Sequence, residues 1–234
     1  MAGSSSNMHQ VFRIYLLVSV LFVGSLSAQT PTSANSNASD IIEMRANGLV
    51  NEIMDAVNAR ADAFNTQISQ VYALMPLESI HLDSATIRKN IQSLRHFLQF
   101  LERYRAEGKV LTDRLEDSLK ALRAELPKQH RARFLNTFHK VFLQDITAFD
   151  AYTVALDRLY KKVIASLEYM LSITFGVTQQ NKLEFTREVD YKRYLDLMAQ
   201  IEKANKEVQK ASERSRKATA AANKTIEEVY GNKD

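Results

Sequence analysis

The chain has 234 residues, 45% apolar and 25% charged, a balance ordinary for a soluble globular protein. It contains no cysteine, which excludes disulfides, thiolate metal sites and a lipidated N-terminal cysteine. Its net charge is +4, with only six glycines, three prolines and no tryptophan. So little punctuation predicts a few long helices, because a β-rich fold needs a turn signal every 8–12 residues or so.

Residues 1–28 read as a secretory signal peptide. Arg13 supplies the basic start, an apolar run extends from Ile14 to Val23, and Ser25-Leu26-Ser27-Ala28 forms a small-residue exit. The run is short of the about 20 residues that span a bilayer, so cleavage after Ala28 is expected, with a retained anchor as the alternative. No later run is long enough to span, so no integral membrane segment is expected after cleavage. The predicted location is therefore secreted or periplasmic. Residues 29–39 are polar and lack periodicity, as in a disordered leader.

The helical part is predicted over 40–230, with helices at about 40–75, 84–126, 128–175 and 180–230. Asp40 with Glu43 fits a capping box, and Pro76 closes the first helix, whose apolar stripe includes Val57, Phe64, Ile68 and Val71. Asp83 or Ser84 caps the second. Its stripe of Ile87, Ile91, Leu94, Leu98 and Leu101 continues through Gly108 to Leu126, with the backward drift of a 3.5-residue repeat. Pro127 marks the next reversal. The third helix carries Phe134, Phe138, Phe149, Tyr152, Leu156 and Leu159. Gly176 reads as its stop, and Asn181 with Glu184 as the restart of the fourth helix. Three breaks give an all-α fold, an elongated antiparallel up-down-up-down four-helix bundle with coiled-coil-like packing after the signal peptide.

The stretch RFLNTFHKVFLQDITAFDAY, residues 133–152, is the most suggestive chemically. Reversing the chain near residue 177 sets Phe134, Phe138, Phe142 and Phe149 opposite small residues such as Ala204, Ala211, Ser215 and Ala218. Large side chains meeting small ones make an aromatic core wall rather than a site. An apolar ligand between the helices is the functional alternative. Asp145 falls mid-stripe between Val141 and Phe149, level with Gly108. A lone buried carboxylate is costly, so a polar layer of Asp145 with Arg105 or Lys109, beside Gly108, is expected. Arg187 and Asp190 interrupt the stripe of the fourth helix in the same way and suggest a second, more exposed polar layer.

Charge is uneven. Residues 40–75 hold two basic and five acidic groups, and residues 84–127 hold nine and six. This reads as internal complementarity. No face becomes a dense basic stripe interleaved with aromatics, so no nucleic-acid partner is expected. Phosphate-loop, dinucleotide-loop, zinc-protease, calcium-loop and nucleophile-elbow motifs are missing from the sequence. The one Glu-x-x-His, Glu78 to His81, follows Pro76 in a loop and cannot complete a di-iron set. No metal, cofactor or catalytic residue is assigned. The expected function is that of an exported, non-enzymatic structural or interaction module whose partner is another protein or itself. A carrier of lipid or another apolar ligand is the first alternative. An extracytoplasmic sensor with an uncleaved anchor is the second.

Overall fold

The computed structural model describes residues 48, 52, 55, 56, 58–71, 83–125, 128–177 and 183–230; side chains at 119, 122, 123, 125, 128–142, 177, 223 and 225–230 fall outside that description. The expected signal peptide, polar leader, Asp40 capping box and breaks at Pro76 and Pro127 lie outside the described residues. The described residues are almost entirely helical, with one small ribbon. Helix α1 is described continuously over 58–71, α2 spans Ser84–Glu125, α3 spans Lys128–Ser172, and α4 spans Glu188–Tyr230. Strands β1 (Phe175–Val177) and β2 (Leu183–Phe185) lie between α3 and α4.

Asp83 starts α2. Its Oδ1 accepts the Thr86 backbone N–H at 2.7 Å and its Oδ2 accepts the Thr86 hydroxyl at 2.9 Å. A side-chain oxygen thereby satisfies a donor that the first helical turn leaves without an intrahelical acceptor. The helix then runs unbroken through Gly108. Its buried positions include Ile87, Ile91, Leu94, Phe97, Leu101 and Tyr104, spaced three and four apart. Phe97 takes the place expected for Leu98, which is only half-buried.

The ribbon is the main departure from the sequence expectation. Helix α3 ends at Ser172 rather than near 175, and α4 begins at Glu188 rather than 180. The intervening Ile173, Thr174, Phe175, Val177 and Phe185 are β-branched or aromatic and favour a pleated backbone. The antiparallel register pairs Phe175 with Phe185, Gly176 with Glu184 and Val177 with Leu183. Phe185 packs on Tyr194 with ring centroids 5.1 Å apart, so the ribbon leans on the first turns of α4. Burial pushes the Tyr194 phenol up to about 12.

The chain divides into two compact units. Among the described residues, the first holds 67–71, 83–103, 149–177 and 183–214. Its core joins Leu94, Phe97 and Leu101 of α2, Tyr152, Leu156 and Tyr160 of α3, and Leu197, Ile201 and Val208 of α4, all at most 7% exposed. Phe97 meets Tyr160 edge to face at 5.3 Å, a favoured aromatic arrangement. The second unit holds the described residues up to 66, with 104–125, 128–148 and 215–230. Phe64, Tyr104, Leu115, Ser215 and Ala222 are buried there, and the Phe64 and Tyr104 rings lie 5.7 Å apart.

Candidate functional site: three polar clusters

Three places hold polar groups against apolar surroundings, and each is built by a departure from the helical stripe. The first is at Gly108. The apolar stripe of the sequence passes from Val57 to Phe64, and the position between them, on the described part of α1, is Arg60. Its guanidinium lies over the Tyr104 ring, Cζ 4.0 Å from the centroid, and Nη2 donates to the Tyr104 backbone carbonyl at 2.9 Å. Gly108 is buried and makes the room: a Cβ there would lie 2.5 Å from Nη2 and 3.1 Å from Cζ. The gap beside Gly108 is thus filled by Arg60, a residue the stripe reading passes over. Arg60 Nη1 is buried with no hydrogen-bond partner among the described residues. The face of the aromatic ring offsets part of that loss.

The second is at Asp145 of α3. The carboxylate oxygen Oδ1 lies 2.6 Å from Thr219 Oγ1 on α4, and that hydroxyl is also 3.1 Å from the Ser215 carbonyl. The hydrogen bond at this carboxylate runs to a neutral hydroxyl of α4, where the sequence suggests Arg105 or Lys109 of α2. Burial pushes the Asp145 carboxyl above the ordinary carboxylate range, and the Thr219 bond only partly opposes this. Thr219 has one proton for two acceptors, Asp145 and the Ser215 carbonyl, so its bond to the carboxylate is shared.

Asp145→Asn is accordingly expected to leave the neutral-pH urea midpoint unchanged or raised, because a neutral amide avoids the cost of burying a charge. A group whose folded pKa is raised holds its proton more tightly in the folded state. It opposes folding above the folded pKa, and acidification through that window relieves the opposition. The advantage of the variant should therefore close as pH falls. A loss of about 3–5 kcal/mol at neutral pH would instead mark a buried ion pair broken.

The third lies where the ribbon enters α4. Asp190 is 3% exposed and satisfied on both oxygens: Arg187 Nε donates to Oδ2 at 2.8 Å, and Arg187 Nη2 and the Tyr169 hydroxyl donate to Oδ1 at 2.8 and 3.0 Å. Asp190 sits in the first turn of α4, where negative charge is favoured. The expected second polar layer exists, but its acid is buried and only Arg187 is exposed, with Tyr169 of α3 as an unforeseen third member. The Arg187 guanidinium holds the Asp190 carboxyl below its ordinary range, and Asp190 in turn pushes Arg187 up; burial and Asp190 raise the Tyr169 phenol. A depressed carboxyl stabilises the fold above its unfolded pKa, about 3.9, and that contribution disappears as pH falls through the folded value. Asp190→Asn should lower the neutral-pH urea midpoint, and the gap from wild type should shrink below about pH 4. A gap that stays constant into acid would show that the charge is not what holds this cluster.

Of the sequence-assigned residues, Phe149 is half-buried and its ring meets Tyr152 at 5.8 Å. Phe134, Phe138 and Phe142 belong to α3, but their side chains lie outside the described residues. Lys109 is exposed and Arg105 half-buried. Among the described residues no group of three or more His, Cys, Asp or Glu side chains could hold a metal ion, and no helix is long and apolar enough to cross a membrane. Chemically, the three clusters fix helix contacts. Each pairs a buried or half-buried charge with a group on another helix. Comparison with known proteins finds no matching family model, no matching curated protein and no matching solved structure.

Proposed function

We propose that this is an exported, non-enzymatic helical bundle that acts through its surface as a structural or protein-interaction module. The observation that carries the reading is a contiguous apolar step at the start of α4. Tyr191 is 42% exposed and Leu195, one turn on, is 46% exposed. Phe185 of β2 rests on Tyr191 with centroids 5.7 Å apart. A lone exposed leucine needs no explanation, but adjoining exposed apolar groups mark contact surfaces. The natural occupant is another protein or a second copy of the chain.

The proposed architecture is up-down-up-down with coiled-coil-like packing after a cleaved signal peptide. Its support includes the α4 core positions Tyr194, Leu197, Ile201, Ala204, Val208, Ser215 and Ala222, which keep a spacing of three and four or its sum. Opposed directions for α3 and α4 are favoured by Lys162 bonding Gln200 and Tyr169 bonding Asp190 in one unit, and by Thr219 bonding Asp145 in the other. Export is tested by N-terminal sequencing of protein from the host's extracytoplasmic fraction. The expected first residue is Gln29 or a neighbour. Intact Met1 in the membrane fraction would favour the anchored-sensor alternative.

A further inference from the structure

In the first unit the charges of α3 and α4 balance, and the excess lies on α2. Over Ser84–Arg103 the basic residues Arg88, Lys89, Arg95 and Arg103 are opposed by one acid, Glu102. At 100° per residue these four cations fall within about 120° of arc, with His96 and the amides Gln92 and Gln99 between them. All seven are exposed. Arg95 bonds Glu168 at 2.6 Å, while Arg88, Lys89, His96 and Arg103 have no carboxylate partner among the described residues. The cations extend over about 22 Å of helix at 1.5 Å per residue.

We infer that this face of α2 binds a linear anionic polysaccharide. The inference rests on the surface-acting reading above and names a partner for a different face. Charge complementarity calls for a polyanion, and three of the four cations are arginines, whose planar forks match carboxylate and sulfate oxygens in pairs. The centre of the arc decides among polyanions. Ala85, Gln92 and Gln99 lie there at seven-residue spacing and offer no apolar seam for an acidic partner helix to pack against. No large apolar side chain of this stretch is exposed to enter a membrane, and no exposed aromatic is present to stack on nucleic-acid bases. Two amides between rows of cations suit a chain that presents hydroxyls between its charges.

The test is calorimetric titration of the full chain with a heparin-type sulfated oligosaccharide from about 50 mM salt upward. Two variants of equal charge loss are compared, both checked for wild-type helicity: Arg88→Gln, Lys89→Gln, Arg103→Gln on the face, and Arg158→Gln, Lys203→Gln, Lys210→Gln elsewhere in the same unit. The face variant should bind about tenfold or more weakly at low salt. Its log-log salt slope should fall by roughly 0.7 per cation removed, the single-strand polyelectrolyte value. The control should stay close to wild type. Equal weakening of both variants, or no binding by wild type, overturns the proposal. So does binding to phosphatidylserine vesicles without binding to the oligosaccharide. A protein partner found in the host alongside a negative titration would sink this inference and leave the interaction-module reading standing.

Discussion

Leu94→Ala and Leu101→Ala are each expected to destabilise the first unit by about 2–5 kcal/mol, the range for truncating a fully buried leucine. Both are 0% exposed. Leu98→Ala, on the same helix and with the same chemistry, should cost less than about 1 kcal/mol, because a half-buried side chain forfeits only part of its transfer free energy and leaves no closed cavity. The three substitutions differ only in position, so helix propensity largely cancels. Urea unfolding followed by circular dichroism measures the three midpoints. Equal losses at all three would mean that Leu98 is in the core and the face of α2 is rotated. If the two units unfold separately, the Leu94 and Leu101 changes move one transition, and Leu115→Ala, in the second unit, moves the other.

Gly108→Ala should change sign with its background. In the wild type the new methyl displaces the Arg60 guanidinium, whose Nη2 would otherwise stand 2.5 Å away. Arg60 is flexible and can move, so the steric cost is small. The loss is the charge-assisted bond to the Tyr104 carbonyl and the ring contact, about 1.5–3 kcal/mol. Replacing an interior helical glycine by alanine returns about 1 kcal/mol. The net is destabilising in the wild type. In Arg60→Ala nothing is left to displace, and Gly108→Ala should stabilise by about 1 kcal/mol. A double-mutant cycle should therefore give a coupling of about 2 kcal/mol, well above the error expected for independent sites. No coupling would mean that Arg60 does not sit over Gly108 in solution.

The residues explain what the sequence makes legible and what it hides. Helix α2 was readable because its caps and stripe agree: Asp83 bonds Thr86 as an N-cap should, and Ile87, Ile91 and Leu94 are buried in register. The ribbon escaped because Asn181 and Glu184 also spell a capping box, and a three-residue strand is too short to show alternation. That error moved the rest of the site. The strands pair symmetrically about residue 180, not 177, so each level of α3 meets a later level of α4 on the proposed antiparallel register. Thr219, the actual partner of Asp145, was shifted out of view by this displacement. Arg60 left a clearer trace. The stripe of α1 jumps from Val57 to Phe64, and the skipped position holds an arginine, while α2 carries an interior glycine that helix propensity alone disfavours. A missing apolar residue on one helix and a missing side chain on the next are two halves of one contact, but single-helix periodicity cannot pair them.

We propose that the buried polar groups hold the helices together and that the protein works through its surface. Native mass spectrometry of the protein purified from its own host tests this most directly. The expected spectrum shows the mature chain in a stoichiometric complex, with itself or another protein, that dissociates to a bare chain on activation. A Tyr191→Lys, Leu195→Lys variant should run as a free chain of unchanged helicity. A monomer retaining a bound lipid or other small apolar molecule, and unaffected by those two changes, would contradict the claim and make the carrier reading correct.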